Sequence, residues 1–318
     1  MNQSFENYRS PLDGSKLLYR NDNLIDSNGN CFLVINNIPR FVPIENYSSS
    51  FGFQWNIFNQ TQVDYYNKSD ISSKRFYNST KWSPDQLNEK KILEVGSGSG
   101  RFTQVILETG AELYSLDYST AVEANAKNNF KFSNFNLCQA SVYELPFEKN
   151  YFDFVCCLGV IQHTPNVELS FSKMLEHLKP GGEIAIDVYA DTIKTKFYSK
   201  YLFRPITKRL NKKLLLSIIK WYVPIWMPFS NFFLKTPFVG KFLAQIIPIC
   251  NYSKQYPFLS KQQLVDWAIL DTFDMLSPDY DNPQSFKTLN RWLFKYNLDK
   301  IFLGRGDNGF VLIAKKRH

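Results

Sequence analysis

The residues best placed to do chemistry in this 318-residue chain sit at one turn. Gly96, Gly98 and Gly100 alternate with two serines directly after the run Lys91-Ile-Leu-Glu-Val. Lacking a Cβ, these positions let the backbone approach a ligand closely and take left-handed conformations. Phe102, Val105 and Ile106 then recur at helical spacing until Gly110 stops the run. A strand, a glycine turn and a helix at the carboxyl end of a parallel sheet is where nucleotide-like ligands bind. The dinucleotide pattern places Arg101 where close helix–strand packing needs a small residue, and no Gly-Lys-Ser/Thr follows. A pyrophosphate seat of that kind and a P-loop are thereby disfavoured.

The surrounding pattern supplies the scaffold that holds this turn. Strands are expected at 91–95, 112–117, 135–140, 152–158 and 183–189, and helices at 100–109, 120–129 and 166–178. Thr120 and Glu123 read as a capping box. Val167, Phe171, Met174, Leu175 and Leu178 form one helical face, and Lys179-Pro-Gly-Gly stops it. Alternation of this kind argues a parallel sheet covered by helices on both faces. Residues 261–318 add two helical patterns and an antiparallel hairpin, Ile301-Phe-Leu and Phe310-Val-Leu-Ile-Ala. Residues 1–45 read as a small β appendage, and 46–90 as an aromatic flap or linker whose last helix opens at Ser83-Pro84.

Composition narrows the class further. Hydrophobic residues make up 44% of the chain and charged residues 21%, which supports a packed core. The five cysteines, Cys31, Cys138, Cys156, Cys157 and Cys250, are odd in number and show no C-x-x-C, so reduced thiols and no metal site are expected. The N-terminus lacks the basic and apolar regions of a signal peptide, which points to a cytoplasmic protein. The net charge of +8 belongs to one segment: residues 190–260 hold twelve Lys/Arg against Asp191 alone, or +11, leaving 8 − 11 = −3 elsewhere. There Trp221, Trp226, Phe232, Phe233 and Phe242 interleave with the cations. Lys220, Pro224 and Pro228 break the apolar run, so it reads as a helical lid or as a surface lying on anionic lipid, not a span.

Taken in order, Leu93-Glu-Val-Gly-Ser-Gly-Ser-Gly, Leu116-Asp-Tyr-Ser, Leu145-Pro-Phe, Tyr151-Phe-Asp-Phe-Val, Gly159-Val-Ile-Gln-His-Thr-Pro and Leu178-Lys-Pro-Gly-Gly resemble a class I S-adenosylmethionine-dependent methyltransferase. The likeness is closest to the ubiquinone/menaquinone-biosynthesis-like branch. The N-terminal segment is similar to a zinc ribbon, with Ser10-Pro-Leu-Asp where Cys-Pro-x-Cys would stand. The resemblance implies an α/β, Rossmann-like, seven-stranded and mostly parallel sheet, with helices on both faces and a terminal antiparallel hairpin. The β appendage and a helical insert at 190–260 are added to it, and 91–189 is the cofactor-binding core.

It also implies the site. The S-adenosyl-L-methionine tail would lie by Gly96, Gly98 and Gly100, supported by Glu94, and its ribose hydroxyls would bind Asp117 beside Tyr118. Adenine would sit against Ser141 and Val142, and the methionine portion over Leu158 and Gly159. His163 would meet the acceptor as a general base, with Asp187 and Tyr189 at the mouth. Arg75 and Phe76 would close the N-terminal side.

The reading that follows is a methyltransferase acting, at oxygen, on a small or lipid-linked acceptor. Peripheral contact with the inner face of a membrane would run through 190–260. Two alternatives compete: a membrane-peripheral binding protein that keeps a degenerate core, and a nucleic-acid methyltransferase. A basic patch without the Pro-Pro-Tyr/Phe type of motif argues against nucleic acid.

Overall fold

The glycine turn stands at the centre of a seven-stranded sheet in the computed structural model, which describes residues 4–44, 46–236, 240 and 247–318. The expectations that fall on 237–239 and 241–246, Phe242 among them, lie outside the described residues.

Five strands of this sheet run parallel: β5 (Lys91–Val95), β6 (Glu112–Asp117), β7 (Phe135–Gln139), β8 (Phe152–Cys157) and β9 (Leu178–Val188). β10 (Leu298–Gly306) and β11 (Gly309–Lys316) complete it as the antiparallel hairpin foreseen, giving the order β10-β11-β9-β8-β5-β6-β7. The chain lays β6 and β7 on one side of β5 and then crosses to place β8 on the other. The end of β5 is therefore the switch point of the sheet, where a crevice opens for a ligand.

The apolar runs of these strands follow from burial on both faces. Leu93 and Val95 enter one core with Tyr114, Leu116, Val155 and Ile186, while Ile92 enters the other with Leu113, Cys156 and Ala185. Helices α5 (Arg101–Leu107), α6 (Val122–Asn129) and α7 (Val167–His177) cover them. Phe171, Met174 and Leu175 of α7 are buried against the sheet, as their spacing predicts.

Two local expectations differ from the structure. The Thr120–Glu123 capping box does not form; α6 begins at Val122, and Glu123 instead pairs with Arg40 and accepts from Asn36. The helix ends at His177 as expected, but the strand expected at 183–189 begins earlier. β9 starts at Leu178 and absorbs the glycines as an irregularity in its pairing with β8, with Gly181 at φ +77°.

The N-terminal strands β1 (Leu18–Arg20), β2 (Asn23–Ile25), β3 (Cys31–Ile35) and β4 (Ile38–Pro39) form an antiparallel sheet. It is sewn to the edge of the main sheet, where Phe41 N donates to Gln139 O at 2.8 Å and Arg40 bonds the Gln139 side chain. The edge of β7 is thereby covered. Ser10 Oγ donates to Asp26 Oδ2 at 2.9 Å, and Asn28 Nδ2 donates to Asp13 Oδ2 at 2.6 Å. These hydrogen bonds join the turn at 10–15 to the turn at 26–30. Among the described residues no group of His, Cys, Asp or Glu could hold a metal ion.

A third core lies above the carboxyl end of the sheet. It joins α10 (Lys212–Lys235) to α11 (Lys261–Leu276), with Phe58 and Ile71 from the segment of α1 (Ser49–Ile57), α2 (Asp64–Asn67), α3 (Ile71–Thr80) and α4 (Pro84–Leu87). The insert also holds α8 (Ile193–Lys196) and α9 (Lys200–Thr207), and α12 (Phe286–Lys295) follows α11. α10 runs through Pro224 and Pro228, each of which removes a helical hydrogen bond. Its hold is tertiary: Leu215, Leu216, Ile219, Val223 and Met227 are buried against α11. No helix of the described residues is long and apolar enough to cross a membrane.

Candidate active site

The glycine turn is fixed by its neighbours. Gly96 N and Ser97 N both donate to Leu116 O, at 2.8 and 3.0 Å, and Gly98 N donates to Asp117 Oδ2 at 2.9 Å. The other Asp117 oxygen accepts from Ser119 N and Oγ. One carboxylate thus ties the loop after β5 to the end of β6, and burial raises its pKa. Gly96 has φ +80°, and a Cβ there would come 2.4 Å from Val160 Cγ1.

Beneath the turn, α6 supplies three amides. Asn128 Nδ2 donates to Ser99 O, Asn129 Nδ2 to Gly100 O, and Asn125 Nδ2 to Thr103 Oγ1. These asparagines escaped the sequence reading. Their signal was present: three amides crowded into a helix of only eight residues, where asparagine is a poor helix former.

A cavity of about 540 Å³ opens over the turn, between the sheet and the helical layer. Gly96, Gly98, Asp117, Tyr118, Val142, Leu158 and Gly159 line it, with Trp55 against Gly98. His163, Tyr189, Lys200, Tyr252, Asp271 and Asp274 line it as well. His163 Nδ1 lies 2.9 Å from Tyr280 O. A carbonyl only accepts, so Nδ1 carries the proton and Nε2 presents a lone pair. Nε2 is buried with no partner, and burial lowers the histidine pKa to about 4. Phe51 and Tyr189 flank the ring at 5.1 and 5.4 Å.

The model of the methyltransferase domain family matches residues 93–186, the stretch from β5 to β9 that carries the turn, Asp117 and His163. Residues 93–186 are thus similar to a methyltransferase domain. Over 124 residues the chain is 31% identical to a ubiquinone biosynthesis O-methyltransferase of Rickettsia typhi, covering 37% of this chain and 47% of that protein. Over 104 residues it is 34% identical to phosphoethanolamine N-methyltransferase 2 of Caenorhabditis elegans, covering 31% of this chain and 23% of that protein. The match therefore spans less than half the length of either relative. A solved SAM-dependent methyltransferase from Aquifex aeolicus is 10% identical, with a TM-score of 0.42 over 85% of this chain and 98% of its own.

S-adenosylmethionine is the methyl donor that the resemblance of these residues implies, and the residues present would fit it. At the cavity wall Gly96 and Gly98 bring the backbone so close to Val160 and Trp55 that a Cβ would come within 2.4 and 3.1 Å of them, and Ser97 and Ser99 keep buried hydroxyls without partners beside the turn. Asp117 stands at the cavity wall, where a ribose would reach it.

Other expected residues stand behind the wall. Glu94 is buried under the loop, where Oε2 accepts from Thr103 and Ser115 while Oε1 has no partner. Burial raises its pKa to about 7. Gly100 packs on α6, and Ser141 turns its hydroxyl to Tyr143 N at 3.1 Å. Asp187 accepts from Gly159 N and, at 3.1 Å, from Arg75. Its place is to position the Gly159 turn. Phe76 is buried in the core, and His177 bonds Glu148 O.

The sequence reading missed the acidic pair on α11. Asp271 accepts from Gln62 Nε2 at 2.9 Å and Trp267 Nε1 at 3.0 Å, while Asp274 accepts from Gln54 at 3.4 Å. Burial raises both to about 6. The available signal was two acids three residues apart in the largely apolar second half of the helix, 267–276. Arg101, out of place in a dinucleotide loop, reaches the cavity wall and bonds Gln62 Oε1. It is buried, which lowers its pKa to about 10.

Proposed function

We propose that the chain is an S-adenosylmethionine-dependent methyltransferase acting on a small or lipid-linked acceptor at oxygen, with His163 as general base. One observation carries the reading. His163, buried and neutral with no partner on Nε2, lines the same cavity as the glycine turn and Asp117.

The donor, when bound, supplies an electrophilic methyl group on a sulfonium. The protein holds the acceptor hydroxyl in line and dry, since alignment at roughly 3–3.5 Å supplies much of the rate. As the O–CH3 bond forms and the S–CH3 bond breaks, His163 Nε2 takes the hydroxyl proton and Tyr280 O steadies the imidazolium through Nδ1–H. Asp187 positions the Gly159 turn under the reacting groups, and Phe51 and Trp55 exclude water.

Calorimetric titration with S-adenosylmethionine tests the first half: the wild type binds and Asp117→Ala binds far more weakly. No binding by the wild type refutes the proposal. Incubation with labelled donor and a cell extract then identifies the acceptor. With it, His163→Gln lowers kcat by about 10²–10⁴ while leaving donor affinity intact.

A nitrogen acceptor is the second reading, favoured by Asp271 and Asp274, whose carboxylates face the cavity and would hold an ammonium. The C. elegans relative is named for an amine substrate. The atom that carries the recovered label decides between the two.

A further inference from the structure

α10 is apolar on two faces and buries one. Its inner residues pack on α11. Its outer residues Leu214, Ile218, Trp221, Ile225, Phe229 and Phe232 are all exposed, Trp221 at 68%. Their spacing of four, three, four, four and three makes a straight stripe about 27 Å long at ~1.5 Å per residue. The segment before it adds Ile193, Phe197, Leu202 and Ile206, all exposed, Phe197 at 84%. A soluble surface rarely leaves so much contiguous apolar area in water without an occupant.

The charge around the stripe says what that occupant is. Between 190 and 236 stand ten Lys/Arg and one acid, Asp191. Lys200, Arg204 and Lys212 turn inward, to Asp281 and to the carbonyls of Met275, Pro278 and Ser277. Arg209, Lys213, Lys220 and Lys235 remain exposed beside the stripe. An amphipathic helix with tryptophan and phenylalanine on one face and cations along its flank is the form that lies in the interface of an anionic bilayer. A second copy fits poorly, because a two-fold interface would set this basic segment against itself. The same segment walls the cavity: Thr195, Tyr198, Lys200 and Tyr201 line it, interleaved with the exposed residues.

We propose that α8–α10 form a docking surface for anionic phospholipid membrane, which seats the mouth of the cavity against the bilayer. The surface stands independently of the reading of activity. If that reading also holds, the acceptor enters from the lipid side and belongs to the membrane-embedded or lipid-linked class.

The test uses the full chain with vesicles of phosphatidylcholine, alone or with about a third phosphatidylglycerol. The expected result is sedimentation with the anionic vesicles only, a blue shift of tryptophan emission, and weakening between about 50 and 300 mM salt. The double replacement W221S/F229S lowers partitioning about tenfold or more, and K213Q/K220Q does likewise. Both variants keep the circular dichroism spectrum and S-adenosylmethionine affinity of the wild type. Absence of wild-type binding to anionic vesicles overturns the proposal, as does binding that survives W221S/F229S. It is also overturned by a wild-type dimer that W221S/F229S dissociates, since the stripe would then be covered by a second copy. Vesicle binding without S-adenosylmethionine binding would sink the proposed activity and leave the docking surface standing.

Discussion

Replacing Glu94 by glutamine gives a test whose size can be worked from the structure. Glu94 is fully enclosed beneath the glycine turn, and burial raises its pKa from 4.5 to about 7, against the opposing hydroxyls of Ser115 and Thr103. A group whose folded pKa is raised stabilises the fold fully below its unfolded value. That contribution is lost as the pH rises through the folded value. For Glu94 the window is therefore pH 4.5 to about 7, and at ~1.4 kcal/mol per pH unit it is worth about 3 kcal/mol. Glutamine keeps an oxygen for Ser115 and Thr103 and cannot ionise, so it mimics the protonated acid. Urea denaturation at about pH 5 and pH 8 is the assay. The wild type should lose about 2.5 kcal/mol more than Glu94→Gln between them. Asp271 and Asp274 push in the same direction and His163 in the other, but all three are common to both proteins and cancel in the difference. Parallel pH profiles would refute the reasoning, because the carboxyl would then not be desolvated as the packing requires.

Three further outcomes follow from the same geometry. Gly96→Ala combines φ +80° with a Cβ 2.4 Å from Val160. It should cost about 2 kcal/mol or more and weaken S-adenosylmethionine binding, read by thermal unfolding and calorimetry. Arg75→Met leaves the Asp187 carboxylate, 1% exposed, with the Gly159 amide as its remaining contact at that turn. A loss of about 3–5 kcal/mol is expected, much of it recovered when Asp187→Asn is added, as a double-mutant denaturation cycle would show. His163 is held neutral, so its stabilising contribution is present above pH 6.5 and falls away as the pH drops toward about 4. His163→Gln should therefore be less sensitive than the wild type to acid in that window, by about 3 kcal/mol in urea unfolding.

The fold was legible because its signals are local. Each parallel strand is a short apolar run whose alternate residues feed two cores, and the helices between them carry a single buried face. The glycine turn was legible for the same reason: a closing strand, three glycines and an opening helix are consecutive in the chain. Where local signals failed, a distant contact had replaced them. Glu123 leaves its capping role for Arg40, 83 residues away. α10 continues through two prolines because α11 holds its inner face.

The cavity divides along the same line, which explains why the donor is easier to infer than the acceptor. The part proposed for the donor is built by backbone at the ends of adjacent strands, so residue type and spacing reveal it. The part proposed for the acceptor is assembled by side chains that meet only in the fold. Asp271 bonds Gln62 across 209 residues, Gln54 reaches Asp274 across 220, and His163 is oriented by Tyr280 across 117. None of these pairs has a spacing that a linear pattern could register. Arg101 shows how the two sides join. It begins the helix after the glycine turn, yet its guanidinium is spent on Gln62, the residue that also holds Asp271. A change in the acceptor-side acid would thus be felt through Gln62 at the start of the donor loop, a coupling that requires Asp271→Asn to alter donor affinity as well as acceptor choice.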